Sequence, residues 1–130
     1  MRMTKTLTMK LFATLLLGLA VLGTNPALAH GETKPRHGGV VAESNDLGFE
    51  LVATPTGAVI YITDHNQPLA PTGMTGKLTV LKGSERSEAP LTVAGDKLAA
   101  QGVKLAPGAR VVAALTTPAK KAITVRFTVK

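Results

Sequence analysis

Three histidines, His30, His37 and His65, are the residues of this chain whose type and placing invite chemistry. Neutral imidazole is the commonest metal ligand among protein side chains. There is no cysteine, so a metal would have to be held by His, carboxylate, Met or a free terminal amine. That donor set suits Cu(II), Zn(II), Ni(II) or Co(II) better than a thiolate-seeking ion. His30 has a second qualification. It follows Pro26-Ala27-Leu28-Ala29, an Ala-x-Ala cleavage pattern, so cutting after Ala29 makes it the first residue. Its amine, which deprotonates more readily than a lysine, then closes a chelate ring with its own imidazole. A third nitrogen from His37 or His65, with an oxygen from Asp64 or Glu32, would complete the tetragonal set that Cu(II) prefers. None of the three histidines lies in an apolar stripe. The competing reading is that they are solvated loop residues, with Asp64 and Asn66 present to shape a turn.

The same N-terminal stretch predicts export. Arg2, Lys5 and Lys10 form a basic start, and Leu11 to Gly23 is an uncharged, Leu-rich run. That run is shorter than the roughly 20 residues a helix needs to span a bilayer. Residues 1–29 therefore read as a cleaved signal peptide rather than an anchor, and the mature chain as exported. No cysteine follows the run to take a lipid, and no membrane attachment is expected after cleavage.

Composition narrows the functional classes further. The leader holds three of the fifteen Lys and Arg and none of the eight Asp and Glu, so the net charge falls from +7 to +4 on cleavage. Only Lys120 and Lys121 are adjacent, and Tyr61, Phe49 and Phe127 are the only aromatics of the remaining chain. A nucleic-acid surface needs a basic cluster with aromatic platforms, so nucleic acid is not an expected partner. No Gly-x-Ser-x-Gly or similar nucleophile setting is present, and no carboxylates pair on one strand face; an enzyme is not expected. No organic cofactor is implied. Met74 is a conceivable Cu(I) ligand, but a lone Met after Pro71-Thr72-Gly73 reads more simply as a core residue at a strand entry.

The elements that must position these residues have a period of two. Phe49, Leu51 and Ala53 alternate with more polar neighbours, as do Leu78 and Val80, and Val111, Ala113 and Leu115. Val59 to Thr63 looks buried on both faces. Ile123, Val125, Phe127 and Val129 face opposite to Thr124, Arg126 and Thr128. Such alternation marks half-buried strands. Reversals are predicted at Pro55-Thr56-Gly57, Asp64 to Pro68, Lys82-Gly83-Ser84, Ala94-Gly95-Asp96 and Pro107-Gly108. Residues 30–39 are polar and glycine-bearing, and read as a flexible N-terminal arm. Residues 40–130 then form an all-β domain, an antiparallel, immunoglobulin-like β-sandwich of seven or eight short strands. Its predicted core is Phe49, Leu51, Tyr61, Leu78, Val80, Val111, Leu115, Val125 and Phe127. Ala99 to Leu105 has room for a helical turn at most.

Several segments carry a family resemblance. His37 to Val41, Asp46 to Val52, Tyr61 to Pro68, Gly76 to Leu81 and Val125 to Lys130 resemble small exported proteins of Gram-negative bacteria encoded beside heavy-metal efflux systems of the cation-exporting tripartite type. A similar module occurs in some periplasmic adaptor subunits of those pumps. The resemblance implies a periplasmic, metal-resistance setting and an adaptor subunit as partner. A looser similarity is to the periplasmic copper-resistance protein of the C type, a β-sandwich that binds Cu(II) through an N-terminal His. Here His30 matches by position, Asp64-His65 would stand in for the distal ligands, and the Met-rich segment is missing.

The leading expectation is thus a periplasmic metal buffer or carrier, with His30, His37, His65 and Asp64 as candidate ligands. The alternative is an interaction module that binds no metal and docks on an efflux adaptor or sensor by strand addition.

Overall fold

The computed structural model describes residues 33–130. His30, Glu32 and the predicted leader lie outside the described residues. Nine strands run β1 (Val40–Ser44), β2 (Leu47–Thr54), β3 (Gly57–Asp64), β4 (Gln67–Leu69), β5 (Thr75–Lys82), β6 (Glu85–Ala94), β7 (Lys97–Gln101), β8 (Arg110–Thr116) and β9 (Ala122–Thr128). The described residues contain no helix, so Ala99 to Leu105 divides between strand and irregular chain. The all-β, antiparallel class expected from the sequence is observed, with nine strands where seven or eight were expected.

The strands follow one hydrogen-bonded path, β1-β2-β3-β7-β6-β5-β8-β9, with β4 added to β3. The path is continuous because β6 serves two neighbours: Gly76 to Lys82 of β5 pair with Leu91 to Glu85, whereas Thr92 to Ala94 pair with β7. β6 is therefore the corner at which one half of the sheet turns into the other. At the far ends the path bends round until β1 lies against β9. There the Ser44 hydroxyl donates to the Thr124 carbonyl at 2.9 Å.

Two-residue reversals set the register. Asn45-Asp46 and His65-Asn66 have positive φ at both positions, 53° and 64°, then 51° and 66°. This is the type I′ geometry whose twist matches that of paired strands. Ser44 consequently opposes Leu47, and Asp64 opposes Gln67.

The core fills the inside of the bent sheet. Phe49, Leu51, Leu78, Val80, Val111, Leu115, Val125 and Phe127 are buried as predicted. Met74 is also buried, immediately before β5. Tyr61 is the exception among the predicted core. Its neighbours Ile60 and Ile62 point into the core, so Tyr61 faces outward and is only half-buried. A strand alternates its faces, so both sets cannot be inside.

Candidate functional site

The outer face of β2 and β3 carries two polar residues directly opposite one another, Glu50 and Tyr61. Glu50 sits between the core residues Phe49 and Leu51 but points away from them, and is still only 5% exposed. What covers it is the N-terminal segment. The amides of His37 and Gly39 each donate to Glu50 Oε2 at 2.8 Å. The amide of Arg36 donates to Oε1 at 2.9 Å, and His37 Nδ1 lies 2.9 Å from the same oxygen. A carboxylate has about four acceptor sites, so this one is saturated. Burial pushes the Glu50 carboxyl up. The Arg36 amide, the His37 ring and the amides of Gly39 and His37 outweigh it and hold the group below its ordinary value.

The segment expected to be an arm with nothing to hold it is thus, from Thr33 to Gly39, laid against the sheet. Thr33 donates through its amide and hydroxyl to Glu43 Oε2, at 2.9 and 2.8 Å. The Arg36 guanidinium donates to the Asn66 carbonyl at the β3–β4 tip. Two glycines make the approach close enough. A Cβ on Gly39 would stand 2.1 Å from the Leu51 carbonyl oxygen, and one on Gly48 would stand 2.3 Å from Thr33 Oγ1.

His37 is the centre of this arrangement. Its ring stacks on Tyr61 with centroids 3.6 Å apart and planes 5° from parallel, and 41% of its side chain is exposed. A cleft of about 190 Å³ opens beside it, lined by Lys34, Arg36, His37, Tyr61, Pro68 and Asp96 among others. Lys97 reaches over the Tyr61 ring, 5.7 Å from its centroid, and pairs with Asp96 at 3.2 Å. The Lys97 hydrogen bond and charge lower the Asp96 carboxyl, and the charge of a protonated His37 adds to them.

His65 occupies the exposed β3–β4 tip with 90% of its side chain in solvent. Its Nδ1 lies 2.7 Å from Asp64 Oδ1. The two imidazoles therefore share one arrangement. An ionised carboxylate can only accept, so Nδ1 carries the hydrogen in both rings and the neutral form leaves its lone pair on Nε2. This is how metal-ligating histidines are oriented when a carboxylate backs them.

The structure does not bring His37 and His65 together. His37 rests on Tyr61, and from Tyr61 to Asp64 is three residues of strand, about 10 Å. Among the described residues no three His, Asp or Glu side chains converge as a metal cage. Asp64 backs the imidazole of His65 and Glu50 backs that of His37. Glu50 was not singled out in the sequence; its one signal there is a carboxylate in an otherwise apolar run, Phe49-Glu50-Leu51.

Compared with family models, with curated proteins and with solved structures, the chain matches none.

Proposed function

We propose that this chain is an exported, periplasmic metal-binding protein, a buffer or carrier that holds Cu(II), Zn(II) or a similar ion for an efflux system. The observation that carries the reading is the carboxylate behind each described imidazole, Glu50 behind His37 and Asp64 behind His65, at 2.9 and 2.7 Å. Each pair fixes the tautomer that presents Nε2 to an incoming ion. With few protein ligands per ion, most coordination positions stay open, and an open ion is one that a partner can take. His30 enters the reading on its residue type alone, as a terminal amine and imidazole in one chelate ring.

Docking by strand addition, the mechanism of the alternative reading, finds little support in the strand edges. The part of β6 that β7 leaves unpaired carries Glu85, Arg86, Glu88 and Pro90, and β4 is three residues long with Pro68 at its middle. Charges and prolines at an edge are what discourages another strand from pairing there.

Calorimetric titration of the processed protein with Cu(II) and Zn(II) tests the proposal. Saturable binding is expected, with one component lost in His37→Ala and another in His65→Ala. Uptake that is weak, non-stoichiometric and unchanged by both substitutions would reject it in favour of the interaction module.

A further inference from the structure

The cleft beside His37 contains a second potential donor that the sequence gave no reason to connect with it. Asp96 lies at the second central position of the β6–β7 turn, between Ala94 and Lys97, which pair. Gly95 takes φ +67° at the first position, which turns the chain tightly and places Asp96 at the mouth of the cleft that His37 also lines. The Asp96 side chain is 75% exposed, so its oxygens can be reached from solvent. Glu50 cannot take a ligand's place, since its acceptor sites are filled by the arm. Asp96 is held far less closely: its side chain pairs with the ammonium of Lys97, a flexible surface cation.

We propose that this cleft is a seat for one divalent transition-metal ion, held between His37 Nε2 and the Asp96 carboxylate, with Lys97 occupying the edge of the seat until the metal displaces it. The inference rests on the metal-binding reading and adds to it the oxygen donor and a competing cation. Imidazole nitrogen with carboxylate oxygen is a set that Zn(II) and Cu(II) both accept. Lys97 already stands where a cation is welcome, beside Asp96 and over the face of Tyr61. An arriving ion must overcome that ammonium, and the lysine stem is long and flexible enough to swing into solvent. Binding at the seat is then an exchange of one cation for another.

The chain supplies its own reporter, because Tyr61 is the only tyrosine and there is no tryptophan. Bound Cu(II) at His37 would quench the emission of the ring stacked on it. The experiment is Tyr61 fluorescence titrated with Cu(II), with calorimetry for Zn(II), in a His30→Ala, His65→Ala background that removes the other two imidazoles. A unit charge about 5 Å from a divalent ion changes its affinity by up to about tenfold in a partly screened setting, and a ligating carboxylate, which touches the ion, changes it at least as much. Asp96→Asn is therefore expected to raise Kd at least about tenfold, whereas Lys97→Met is expected to lower it by a factor of about three to ten. Asp64→Asn, at the other histidine, should change nothing. Both Asp96 and Lys97 lie on the surface, and unchanged circular dichroism would separate binding effects from folding. If His37→Ala removes quenching but Asp96→Asn titrates as its parent does, the seat is wrong and the broader reading stands. If the parent itself shows no saturable quenching or heat, the seat falls, and if the unsubstituted protein shows none either, both fall.

Discussion

Replacing Glu50 by glutamine should release the arm while leaving the sheet folded. Four donors converge on the native carboxylate: three amides and the His37 ring. Hydrogen bonds to a charged group contribute about 1.5–3 kcal/mol each, so the set contributes about 6–12 kcal/mol. The stack of His37 on Tyr61 adds about 0.5–1.5 kcal/mol. Against this stands the entropy of fixing seven residues, 33–39, at about 1–2 kcal/mol each. The two sides nearly cancel, so docking is finely balanced. Glutamine offers one carbonyl oxygen, which accepts from two donors at most, and turns its amide hydrogens towards the other two. A loss of at least about 3 kcal/mol follows, which converts to about a 100-fold fall in the docked population. Native-state hydrogen exchange is the assay: protection at Arg36, His37 and Gly39 should disappear in Glu50→Gln. Cooperative unfolding of the sheet should move by only about 1 kcal/mol, because the new side chain is hydrated once the arm leaves. Full protection of those three amides in the variant would refute the latch.

The same carboxylate predicts a pH dependence. Its folded-state value lies below the ordinary 4.5, so the docking stability is fully present above that pH and is lost as pH falls below it through the folded value. Amide protection of residues 36–39 measured from pH 7 downward should show this, against a background in which His37, Arg36, Lys34, Asp96 and Lys97 face the same region; protection unchanged well below 4.5 would contradict it. Phe127→Ala, which empties a side chain buried to 4% exposure on β9, should cost about 3–5 kcal/mol in denaturant unfolding. Asn66→Gly should raise thermal stability by about 0.5–1 kcal/mol, since Asn66 holds φ at +66° in a type I′ turn whose second position favours glycine; a lower melting temperature would speak against that strain.

Alternation made the inward faces of β2, β5, β8 and β9 legible, and the five predicted reversals fall between strands or at the entry to β8. Asn45-Asp46 is a reversal that went unread. It carries no Gly or Pro, and its type I′ character lies in backbone angles that Asn and Asp merely tolerate. Tyr61 was misplaced because β3 is apolar on both faces, so alternation alone cannot say which set points inward. Glu50 and its covering segment stayed hidden for a different reason. The partners are backbone amides 11 to 14 residues upstream, and main-chain donors leave no mark in a pattern of side chains. The histidines were legible as chemistry-bearing residues, and Asp64 stands next to His65 in the chain, but nothing local says that Glu50 backs His37 or that the two imidazoles lie apart.

The contact between β1 and β9 has a consequence for the order in which the chain assembles. Hairpins such as β1–β2, β5–β6 and β8–β9 join strands through short connections and can form as soon as their turns do. The seam joins Ser44 to Thr124, 80 residues apart. Closing a loop of that length costs about 3 kcal/mol more chain entropy than closing a four-residue turn. That seam is therefore expected to zip last and part first, and its opening would expose the buried faces of the two terminal hairpins to a protease.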